Sequence, residues 1–212
     1  MKTNIAIVLS IIGTGTGSFG AYTAYQSDLF NQPLDKHTQV ALSFKDEISS
    51  AEKRGDKPKV ETLRVNYEQY ENSWRNEQLL ESITASIISL DLRNISESKK
   101  SEISNALNKV TSSVSYTQSS PETLGAAYYA LGNYREASEQ LGIALATNPN
   151  DNNIRTLQAA SLVSEAKFTN SNAATLRIQA AQLVDNKDLN LTSKQKLFLL
   201  NTNDASLRTV LE

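Results

Sequence analysis

Between Pro121 and Asp151 the chain contains two short helices together with the residues needed to start, turn and stop them. Ser120 offers a side-chain cap, and Pro121 stands at a first-turn position where its missing N–H costs nothing. Leu124, Gly125 and Tyr128 fall on one helical face; Gly132, Asn133 and Tyr134 supply a turn; Ala137, Leu141 and Ala144 make a second face. Small residues at 125 and 137 stand where two helices must approach closely, and Leu124, Tyr128 and Leu141 fill the space beside them. Asn148 precedes Pro149, and the residue before a proline is driven out of helical geometry, so the second helix ends there. One such hairpin cannot bury its apolar face alone, which requires helical neighbours that stack upon it.

This pattern resembles a tetratricopeptide repeat. The resemblance covers about Ser119 to Leu183 and is specific in its first half, with one departure at Pro121, where the family places a large aromatic. After Asp151 it continues in degraded form. Ala159, Leu162, Ala166 and Phe168 follow the first-helix spacing, Thr169 to Asn172 read as an insertion, and Ala174, Ile178 and Ala181 resume the second-helix spacing. The resemblance implies a short solenoid of helical hairpins that binds other proteins. In that family the first helix of each hairpin lines a concave groove holding an extended peptide or a partner helix. Carried onto this chain, the groove residues are Glu122, Ala126 and Tyr129, followed by Asn153, Thr156, Ala160 and Val163. Leu124, Tyr128 and Leu131 face the sister helix, and each residue turns the helix by about 100°, so the groove set looks elsewhere. Tyr129 is the best single candidate, since a tyrosine joins apolar area to a hydrogen-bonding tip; its alternative is packing against upstream helices. The basic clamp some family members use for a partner's C-terminus is not evident, and Asn153 is the nearest polar substitute.

Elsewhere the apolar period is also helical. Val40, Phe44, Ile48 and Ala51 predict a helix over about His37 to Arg54, broken by Gly55, Asp56 and Pro58. A long helix follows over about Lys59 to Leu92, with a seam of Leu63, Tyr67, Tyr70, Trp74, Leu80, Ile83, Ile87 and Leu90. Such a seam serves a bundle core or a coiled coil, and its aromatics read as core or as a partner-binding ridge. Asn94 to Ser98 is a break, Glu102 to Val114 another helix, and Ser112 to Ser120 a serine-rich loop. Thr192 caps a helix through Leu197 and Leu200, and a short helix near Leu207 and Leu211 suits the terminal cap of an array. No alternating β-branched runs occur. The expected fold is therefore all-α, with an amphipathic helical region over 36–115 and a repeat-like domain over 116–212.

Lys2 is followed by no charge until Asp28, and Ile5 to Ile12 is almost continuously aliphatic. Over 1–27 this fits a cleavable signal peptide with Ser18 and Gly20 before the cut, or an uncleaved anchor with Gly13 and Gly17 as a helix contact and Tyr22 and Tyr25 at the interface. A buried helix is the bland alternative. Residues 28–35, with turn chemistry at Pro33, form a linker. In the anchored case Lys2 stays inside, which places the rest of a single-pass inner-membrane protein outside the cytoplasm; after cleavage the chain is periplasmic or secreted.

The 212 residues carry a net charge of −2, and their basic residues alternate with acidic ones, which argues against a nucleic-acid partner. With no cysteine, disulfides, thiolate metal sites and a cysteine nucleophile are excluded. Gly15, Gly17 and Gly20 match the dinucleotide-binding spacing but lack the strand and helix alternation that gives it meaning. Ser50 with Lys53, Ser96 with Lys99 and Ser164 with Lys167 match a serine-x-x-lysine spacing without the companion motifs. His37 is the only histidine. The expectation is a non-enzymatic adaptor or scaffold of a bacterial cell-envelope complex, with no catalytic, cofactor or metal residues and a protein partner in the groove. The competing expectation is a self-associating membrane protein, a homo-oligomer through the N-terminal helix and the 60–90 seam.

Overall fold

The structure is a computed structural model describing residues 35–91, 95–112, 119–185 and 189–211. Among the described residues it is all-helical: α1 (Lys36–Lys53), α2 (Lys57–Ile88), α3 (Glu97–Ser112), α4 (Pro121–Leu131), α5 (Tyr134–Thr147), α6 (Asn152–Glu165), α7 (Ala173–Val184), α8 (Ser193–Leu200) and α9 (Ala205–Leu211). The membrane or signal segment expected over 1–27, and the linker up to residue 34, lie outside the described residues. Among those described, no helix is long and apolar enough to cross a membrane.

Local chemistry sets most helix ends. Asp35 caps α1 by accepting from Thr38 N at 2.9 Å and Thr38 Oγ1 at 3.0 Å, and these bonds outweigh burial to hold its carboxyl below the usual range. Ser96 Oγ accepts from Lys99 N at 3.2 Å, so this serine-x-x-lysine pair is a helix start, and α3 begins five residues earlier than its apolar spacing suggests. Ser120 caps α4, Asp151 caps α6 and Thr192 forms a reciprocal capping box with Gln195 at α8. Gly55 and Gly132 end α1 and α4 in left-handed geometry at φ 71° and 81°. Leu90 ends α2 in the same way at φ 59°, with Asp91 N donating to Ser86 O at 2.8 Å and Leu90 N to Ile87 O at 2.9 Å. For a residue with a Cβ that conformation costs about 1–2 kcal/mol, which burial of the leucine side chain offsets.

The chain divides into two compact units, the first ending at Gln69 and the second starting at Tyr70. In the first, Phe44 and Tyr67 pack with ring centroids 5.6 Å apart, Ala51 and Leu63 are buried, and an exposed ion pair joins Arg64 to Glu52 at 2.9 Å. In the second, one core combines Leu80, Ile87 and Leu90 with Ile103 and Leu107 of α3, the alanines of α4, Leu141 of α5, and Ile154 and Leu157 of α6. The hairpin α4–α5 thus shares its core with the second half of α2 and with α3. A second core joins Ala160 and Val163 of α6 to Leu176 and Ala180 of α7, Leu199 of α8 and Leu207 of α9.

Consecutive helices from α4 to α7 are packed neighbours, and the closest approach explains a glycine. A Cβ on Gly125 would lie 2.6 Å from Leu141 Cγ. Arg177 Nε donates to Asp204 Oδ2 at 3.0 Å, tying α7 to the cap of α9.

Candidate partner-binding groove

The first helices of successive hairpins stand side by side, α6 between α4 and α8. Their starts share one edge. Gln195 in the first turn of α8 donates through Nε2 to Oδ1 of Asn153, in the first turn of α6, at 2.9 Å. Glu122, in the first turn of α4, lies within electrostatic reach of the α6 cap Asp151. Gln195 is buried, its Oε1 accepting from Thr192 N at 2.8 Å and Thr192 Oγ1 at 3.1 Å, so it locks the α8 start to the α6 start. Beside this lock a shallow polar depression of about 340 Å³ is lined by Asn148, Asn150, Asp151, Asn152, Asn153 and Gln195.

The far end of the same helices is aromatic. Tyr129 meets Tyr134 edge-on at 5.7 Å and Phe198 at 6.1 Å, and Tyr134 stacks on Phe168 at 6.1 Å. Phe168 is 79% exposed. Burial first, and the neighbouring Tyr134 second, push the Tyr129 phenol well above its ordinary value, so it stays protonated at any physiological pH.

The seven expected groove residues therefore separate. Glu122, Tyr129 and Asn153 keep part of their surface in solvent. Ala126, Thr156, Ala160 and Val163 are each 0% exposed. The cause is packing on a second side of each helix. Ala126 shares its core with α2 and α3, whereas Ala160 and Val163 share theirs with α8 and α9. Thr156 turns its hydroxyl inward to its own helix, donating to Asn152 O at 2.6 Å. Sequence reasoning missed Gln195 and Phe198. The Thr192-x-x-Gln195 spacing of a capping box marks where Gln195 starts a helix, but nothing local says that this helix returns beside α6.

Glu122 carries a testable electrostatic cost. Partial burial, then Asp151, then Glu81 raise its carboxyl above the ordinary glutamate range. A carboxyl whose folded value is raised destabilises the fold when ionised, and the penalty disappears below both folded and unfolded values. Glu122→Gln is therefore expected to raise the thermal midpoint at pH 7 and to leave it unchanged at pH 3. Equal midpoints at both pH values would show that Glu122 ionises there without penalty.

Among the described residues no group of three His, Cys, Asp or Glu side chains is placed to hold a metal ion. No protein-family model, curated protein or solved structure matches the chain.

Proposed function

We propose that this chain is a non-enzymatic adaptor, a short tetratricopeptide-like array that holds a protein partner within a bacterial cell-envelope assembly. The observation that carries the reading is the side-by-side arrangement of α4, α6 and α8 with their starts on one edge. That is how first helices of stacked hairpins build a binding face. The contact set consists of Glu122 and Asn153 on the polar edge and Tyr129 at the aromatic end, all partly exposed. The extracytoplasmic placement rests on the uncharged run between Lys2 and Asp28. The adaptor is favoured over a self-associating bundle because Tyr70, Leu80, Ile87 and Leu90 of the seam are already buried within the chain.

Affinity capture with the full chain tests the reading. Glu122→Lys and Tyr129→Phe, which keep the helices and change only charge or the hydroxyl, are expected to reduce recovery of a specific partner by about fivefold or more. Undiminished recovery with both would remove this face from the account.

A further inference from the structure

The covering of Ala126 by α2 has a direction. Glu81, on the second half of α2, lies within electrostatic reach of Glu122 at the α4 start, while ten residues later Asp91 pairs with Lys194 at the α8 start at 3.0 Å. The segment therefore runs across the starts of the first helices from α4 to α8. Its buried side presents Leu80, Thr84 and Ile87, each 0% exposed, and then Leu90. In the same core α4 offers small residues at Ala126, Ala127 and Ala130, all buried. Large side chains on one helix over a floor of small ones on the other is the complementarity of an amphipathic helix lying in a groove.

We infer that residues 78–91 are the groove's own ligand, a cover held in cis that a partner's amphipathic helix displaces. This rests on the adaptor reading and specifies its ligand: a helix with aliphatic residues at the spacing of Leu80, Ile83 and Ile87, followed beyond its end by an acidic residue for Lys194. Several features keep the cover weaker than the stack beneath it. Its end turns through a left-handed leucine, and its ion pair to α8 is about half exposed on both sides. Glu81 also lies within electrostatic reach of the like charge of Glu122.

Native-state hydrogen exchange on the full chain tests the inference. Amides of 80–90 are expected to exchange at least about tenfold faster than those of α4 and α6, through an opening that leaves the hairpins closed. Lys194→Glu is expected to speed exchange in 80–90 alone by about threefold, and adding Asp91→Lys to reverse it. A synthetic peptide of residues 77–91 is expected to bind the Lys194→Glu protein more tightly than the unmodified one. Uniform protection across α2, α4 and α6, or exchange in Lys194→Glu that rises equally in all three, would make the segment an integral core helix and overturn the proposal. So would a peptide that binds neither protein. A partner captured alongside uniform exchange leaves the adaptor standing and removes the cover; faster exchange in 80–90 with no partner does the reverse.

Discussion

Gly125→Val is expected to destabilise the 70–211 unit by about 2–3 kcal/mol, which lowers its thermal midpoint by about 8 °C. A side chain there begins 2.6 Å from Leu141 Cγ and 2.9 Å from its Cδ2, too close for real contacts, so Leu141 or the helices carrying it must shift. Glycine inside a helix normally costs about 1 kcal/mol relative to alanine, so only the close approach explains it. The double variant with Leu141→Ala separates this cause from a general loss of packing. Leu141 is fully buried, and its truncation alone costs about 3 kcal/mol. If the clash is the mechanism, the two changes together cost at least about 1 kcal/mol less than their sum. The rescue stays partial, because the new Cβ also lies 3.2 Å from the Leu141 backbone nitrogen. Strict additivity in denaturant titrations would rule the close approach out.

Asp204→Ala is expected to cost about 3 kcal/mol and to release α9 from α7. Asp204 is 7% exposed, caps α9 by accepting from Ser206 N at 3.0 Å and from the Ser206 hydroxyl, and receives the Arg177 guanidinium at 3.0 Å. Burial alone would raise its carboxyl, but the bonds from Ser206 and Arg177 outweigh it and hold it below the ordinary aspartate range. A lowered folded value means that the group stabilises the fold at neutral pH and that this contribution is lost as pH falls through the folded value. The stability difference between the parent and Asp204→Ala is thus expected to be constant above about pH 5 and to shrink steadily below about pH 4. A difference independent of pH down to pH 2 would assign the cost to lost packing instead of charge.

What was legible before the structure follows from the range of each interaction. Ser120, Gly132, Asn148 before Pro149, and Thr192 act on residues within a turn of themselves, and each starts or stops a helix where its chemistry requires. Leu90 carries no such signal. A leucine reads as one more position of the seam, and only its burial in a distant core explains why α2 ends at Ile88 instead of continuing to Leu92. The groove shows the same limit. Counting about 100° per residue places Ala126, Thr156, Ala160 and Val163 off the sister-helix face, but cannot say which other helix lies over that side. Glu122 and Asn153 keep part of their surface in solvent at the shared edge where α4 and α6 start.

Tyr129 and Phe198 pack against both cores of the second unit and touch each other at 6.1 Å. In a stack whose members meet only adjacent members, each interface is a separate bond and hairpins can melt one after another. This aromatic pair instead joins α4 of the first hairpin directly to α8 of the third, past the hairpin between them. It is a next-nearest-neighbour coupling that closes a row of links into a loop, and the first and third hairpins are expected to melt together.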